Sequence, residues 1–191
     1  MNLTTNQIVQ LISVYPFLRP VNVWTGKPIE DFEYNYYVGQ HDLPDGWSRL
    51  FLMYCKELRP HLIKSNLMNR FYFTQVKEKY GTMRLYDSGY PASAMYLNSL
   101  YETFSYHICQ RCGSFATRET KGWVATYCDE CISEYRGSTE SIEKHKCMRL
   151  SCFKNDGSYD MIYQTYKYLK KEYIKVMRMT DDEFFNYIIT V

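Results

Sequence analysis

Cys109-Gln-Arg-Cys112-Gly-Ser-Phe-Ala-Thr-Arg-Glu-Thr-Lys-Gly-Trp-Val-Ala-Thr-Tyr-Cys128-Asp-Glu-Cys131 has the pattern C-x2-C-x15-C-x2-C. Two residues between paired cysteines let both thiolates of a knuckle reach one metal ion. A second pair completes the tetrahedral S4 shell that zinc takes in closed structural sites. Gly113 suits the backbone reversal a knuckle needs, because glycine tolerates positive φ. Between the pairs, Phe115 to Arg118 and Trp123 to Tyr127 read as short strands around a turn at Thr120-Lys121-Gly122, and Cys131 to Tyr135 as the start of a helix. Knuckle, hairpin and knuckle at a helix start is the order of a treble-clef or zinc-ribbon unit. One structural Zn2+ held by Cys109, Cys112, Cys128 and Cys131 is therefore the expectation. Four thiolates leave no open position for a reactive water.

Disulfides, a redox C-x-x-C pair or plain buried thiols are the competing readings of these cysteines. Disulfides need an oxidising compartment, and the opening Met-Asn-Leu-Thr-Thr-Asn has neither a basic nor a long apolar segment, so an intracellular setting is expected. A redox pair needs no second pair at ribbon spacing.

Outward from this stretch, 191 residues allow one ordinary core plus an added unit. Hydrophobic content of 46% and charge of 23% fit a globular chain, and no apolar run approaches a membrane span. The 20 tyrosines exceed the 10 Phe and 3 Trp, which suggests contact surface as well as core. A net charge of +2 is too mild to announce nucleic acid. Residues 136–178 nevertheless hold ten Lys/Arg against five Asp/Glu, a bias that a solvated helix face explains equally well.

Thr4, Thr5 and Asn6 offer caps for a helix carrying Ile8, Val9, Leu11, Ile12 and Val14, which Pro16 ends. Residues 16–44 read as an irregular segment packed through Phe17, Trp24, Phe32, Tyr34, Tyr36 and Tyr37. Asp45 is expected to cap a helix whose buried stripe is Trp47, Leu50, Phe51, Tyr54, Leu58 and Leu62, with Pro60 kinking or interrupting it and Cys55 in the core. Phe71 to Val76 and Thr82 to Tyr86 read as a hairpin with Gly81 near the turn. Leu97, Leu100, Tyr101, Phe104 and Ile108 mark a helix leading into the first knuckle. Residues 136–160 read as polar loop. Ile162, Tyr166, Leu169, Tyr173 and Val176 form a helical stripe, and Thr180 with Glu183 forms a capping box before Phe184, Phe185, Tyr187, Ile188 and Ile189. The expected fold is α+β: an N-terminal region (1–100), a zinc unit (101–135) and a helical C-terminal appendage (136–191).

Three blocks together resemble a family of small proteins from tailed bacteriophages and prophages. They are Asp45-Gly46-Trp47 with Cys55 eight residues after the Trp, KEKYGTMRLY at 77–86, and the knuckles with GWVATYC (122–128) before the second pair. In relatives the middle string is close to KEKFGTLRFY and the last ligand is often His, where Cys131 stands here. The likeness spans about 40–135 and leaves 136–191 outside. It implies a setting, the cytoplasm of an infected bacterium, rather than an activity.

Lys77, Lys79, Tyr80, Arg84 and Tyr86 are candidates to contact nucleic acid or a partner, with phenols to stack and cations to pair. The same charges suit the wet face of an ordinary hairpin. Asp45 followed by Gln75-x-Lys77 loosely echoes a metal-dependent nuclease, although Gln75 stands where a second acid belongs. His145, Cys147 and Cys152 match no standard knuckle spacing, and ordinary side chains are the simpler reading. His41, His61 and His107 accompany no nucleophile motif. The function expected is non-catalytic: binding of a host or phage protein, with nucleic-acid binding as the alternative, and no membrane contact.

Overall fold

The computed structural model describes residues 3–29, 36–142 and 158–190, with 158–163 as backbone only. His145, Cys147, Cys152, Phe32, Tyr34 and the side chain of Ile162 lie outside the described residues. The chain is α+β, helices with small antiparallel sheets.

Thr4 caps helix α1 (Thr5–Val14), closing a capping box with Gln7. A 3-10 turn, Pro16–Leu18, follows and buries Phe17 and Leu18. Phe17 and Tyr37 from the irregular segment are packed as expected, whereas Trp24 is 92% exposed. A second 3-10 turn, Asp45–Trp47, leads into α2 (Ser48–Lys64). One expectation fails here, and half of another. Asp45 makes no side-chain cap, and Pro60 does not interrupt the helix. Leu58 and Leu62, fully buried on either side of Pro60, anchor both halves of the helix where proline removes one backbone hydrogen bond.

Strands β1 (Phe73–Lys79) and β2 (Thr82–Asp87) form the hairpin, longer than read because Lys77 to Lys79 continue the ladder. Its loop is the two residues Tyr80 and Gly81, at φ 54° and 73°. Positive φ at both positions is the geometry whose twist suits paired strands. Helix α3 (Met95–Ser105) lies along the outer edge of β2. Met83 N–H donates to Ser105 Oγ (2.8 Å), Leu85 N–H to Glu102 Oε1 (3.3 Å), and Asn98 Nδ2 to the Leu85 carbonyl (3.3 Å).

A second sheet has the order β4-β3-β5, with β3 (Arg118–Thr120) between β4 (Thr126–Tyr127) and β5 (Thr139–Ser141). Strands β3 and β4 are both shorter and start later than read, because Thr120 Oγ1 accepts from Ala125 N–H and tightens the turn from within. Residues 139–141, read as loop, pair with β3 instead, Thr120 opposite Thr139. Between β4 and β5 lies the short helix α4 (Asp129–Ile132).

Helices α5 (Ser158–Met177) and α6 (Asp181–Ile189) complete the chain, with the Thr180–Glu183 capping box present. They are not an appendage. Leu169, Tyr173, Val176, Phe184, Phe185 and Ile188 belong to the same core cluster as α1, α2, α3 and the hairpin. Helix α2 organises this packing with its cations. Arg59 donates to Val14 O at the end of α1 (3.1 Å), and Arg49 to Val176 O and Met179 O at the end of α5 (2.7 and 2.9 Å). Lys56 donates to Tyr187 O near the end of α6 (2.8 Å). Cations at helix C-termini satisfy orphan carbonyls and oppose the dipole's negative end. Among the described residues no helix is long and apolar enough to cross a membrane.

Candidate metal centre

The arms of the first knuckle pair with each other: Cys109 N–H donates to Ser114 O (2.7 Å), Ala116 N–H to His107 O (2.8 Å), and Gly113, at φ 80°, donates to Cys109 O (3.0 Å). The second knuckle opens α4, where Cys128 occupies the N-cap and accepts from Cys131 N–H (3.5 Å). These two turns bring the four Sγ atoms within 4.8 Å of one another. The Cys112 and Cys128 sulfurs are 3.7 Å apart. A tetrahedron with Zn–S of ~2.3 Å requires S···S of ~3.8 Å, so the sulfur cage has metal-site dimensions. None of the five described cysteines is in a disulfide, and Cys55 is buried in the core.

Cys109 and Cys128 are buried, Cys131 is half-buried, and Cys112 faces solvent. Thiols this close do not ionise alike. Burial works to raise Cys112, but hydrogen bonds with Ser114 and with Cys109 and Cys131 outweigh it and bring the group down to about 7. Burial and hydrogen bonds with Cys128, Cys112 and Cys109 push Cys131 up. A divalent cation favours the thiolate at all four positions and removes the conflict.

The first knuckle is seated on the core by groups that the spacing of its cysteines does not reveal. Gly46 N–H donates to Gln110 O (2.9 Å), Trp47 Nε1–H to Ile108 O (3.0 Å) and Tyr173 O–H to Gly113 O (2.7 Å). A Cβ on Gly46 would sit 2.1 Å from Cys109 O and 2.6 Å from Gly113 N, so only glycine permits this approach. Asp45, beside it, lines a cleft of about 270 Å3 with Arg49, Arg111, Cys112 and Asp181. Gln75 and Lys77 do not line that cleft.

On the hairpin, Lys77 Nζ lies 5.6 Å from the Tyr86 ring centre and Lys79 Nζ 5.3 Å from that of Tyr80. Arg84 is held by Glu102 (3.1 Å), with both side chains largely buried. The hairpin tip meets the turn between the two cysteine pairs. A Cβ on Gly81 would lie 2.9 Å from Val124, and Glu78, Lys79, Tyr80, Gly122, Trp123 and Val124 line a cleft of about 190 Å3. Trp123 is 81% exposed and Tyr80 69%. Trp123 was read only as a strand residue; a Gly-Trp pair beside a turn was the signal that it stands at a tip. His41 stacks on Tyr36, and His61 Nδ1 lies 3.1 Å from Ser93 Oγ. Burial, with Lys170 nearby, lowers His107. No protein-family model, no curated protein and no solved structure matches this chain.

Proposed function

We propose that the four cysteines hold one structural zinc ion in a treble-clef-like unit, and that the chain is a non-catalytic phage accessory protein that binds a host or phage protein in the infected cell. All-thiolate donors and the order knuckle, β3–β4 hairpin, α4 support zinc and this unit. Binding rests on one observation: Tyr80 and Trp123, from two separate sheets, stand exposed across a shared cleft. Tyr and Trp dominate the anchors of protein interfaces.

Two measurements test this. Native mass spectrometry should find one zinc per chain. Affinity capture from infected cells, with nuclease added, should yield a stoichiometric protein that is lost with a Trp123→Ala/Tyr80→Ala double variant. Metal-free protein, or capture of nucleic acid alone, sinks the reading. Nucleic-acid binding is favoured by Lys77 and Lys79 beside the Tyr86 and Tyr80 rings, but Arg84 is already neutralised by Glu102. That reading predicts affinity falling steeply with salt, in proportion to the phosphates neutralised.

A further inference from the structure

The four sulfurs of the cage are not equally accessible. Cys109 and Cys128 are buried and Cys131 is half-buried, so Cys112 alone among them stands exposed. It lines the cleft of about 270 Å3 that Asp45, Arg49, Arg111 and Asp181 also line. Two guanidiniums set against two carboxylates leave those walls balanced, so they draw no anion in preference to a small neutral reactant. The sulfur of Cys128 lies 3.7 Å from that of Cys112. A disulfide needs ~2 Å, so the two sulfurs can join after a relative shift of under ~2 Å. They belong to different knuckles, and the 15 residues between them carry β3, the Trp123 turn and β4. A bond between them closes the same loop that a shared ion closes. An accessible sulfur with a second one poised to resolve it is the arrangement of a redox-sensing pair. In reducing compartments, disulfides are mostly of this transient kind.

We infer that Cys112 is a site of oxidation by hydrogen peroxide and that Cys128 resolves it, so that the cage exchanges its metal ion for a disulfide. This rests on the zinc reading above and specifies how that site is regulated. The Cys112 thiolate attacks one peroxide oxygen: the S–O bond forms, the O–O bond breaks, and hydroxide leaves, giving a sulfenic acid. The Cys128 thiolate then attacks the Cys112 sulfur, forming the S–S bond and expelling a second hydroxide. Each sulfur gives up one electron, and the pair reduces one peroxide. Two of the four thiolates that a closed zinc site requires are thereby consumed, while the two knuckles stay joined.

The test adds hydrogen peroxide to the zinc-loaded protein, follows zinc with a chromogenic chelator and maps the oxidised cysteines by peptide mass spectrometry. Zinc release should match a Cys112–Cys128 disulfide one for one, and dithiothreitol should reverse it. Cys112→His keeps a ligand that zinc accepts and removes the reactive sulfur, so release should slow at least about tenfold. Cys128→His removes the resolving sulfur, and Cys112 should then stop at the sulfenic acid that dimedone traps. Cys55→Ala, a buried thiol in the core, should leave release unchanged. If either histidine variant fails to bind zinc, the map of the unaltered protein decides alone. First oxidation at Cys109 or Cys131, a Cys109–Cys112 disulfide, or zinc retained through peroxide treatment overturns the inference and leaves the zinc reading standing. Protein isolated without zinc overturns both.

Discussion

Two single residues carry opposite lessons about backbone freedom. Tyr80 is strained for its conformation by about 1 kcal/mol, against which its contact with Lys79 returns about 0.5 kcal/mol. Tyr80→Asn should therefore raise stability by about 0.5 kcal/mol in chemical denaturation, while removing a ring from the cleft. A gain in stability with a loss of binding is the pattern of a position kept for contact rather than for folding. At Gly46 the constraint is space. Gly46→Ala forces a methyl into the Cys109 carbonyl and the Gly113 amide, backbone atoms that cannot swing aside. The expected loss is about 3 kcal/mol, the upper end for overpacking, seen as a lower denaturation midpoint together with weaker metal retention, since the knuckle itself is displaced. An unchanged midpoint would mean that Gly46 is not seated as described.

Among the elements, α2 is the one to which the other helices are tied. Its apolar stripe was legible because Trp47, Leu50, Phe51, Tyr54, Leu58 and Leu62 recur at helical spacing, and all are buried. Its second role was not, because nothing in the order Arg49, Lys56, Arg59 says that each reaches the end of a different helix up to about 130 residues away. Side-chain chemistry within a few residues can be read from sequence, as at the Thr180–Glu183 box; partners distant in sequence cannot. The β5 strand escaped for the same reason, since Thr139-Glu140-Ser141 lacks the apolar alternation of a strand and owes its form to β3. Glu57, also on α2, is raised by burial, with Glu172 on α5 adding to it. A carboxyl raised in the folded state contributes most below its unfolded pKa, and that contribution is lost as pH rises through the folded value. Glu57→Gln should thus raise the melting temperature at pH 7 and lose that advantage at pH 4. An equal effect at both pH values would remove the electrostatic explanation.

Across the whole molecule, the four-cysteine cluster was legible and its attachment was not. Spacing alone brings Cys109, Cys112, Cys128 and Cys131 together, but the groups that lock the first knuckle down come from residues 46, 47 and 173. Helix α5 therefore shares, through Tyr173, in joining the cysteine cage to the core. A chain ending at residue 142 should be insoluble or should lack cooperative unfolding, because it exposes the surfaces that Leu169, Tyr173, Val176, Phe184 and Ile188 cover. A truncated chain with a sharp melting transition would restore the appendage picture. One last feature bears on how these molecules behave when crowded. Three side chains of α3 already occupy the amides and carbonyl that β2 would offer to a stranger. Neighbouring copies thus find no template there on which to zip into a growing ribbon, and at that margin the chain is guarded against its own abundance.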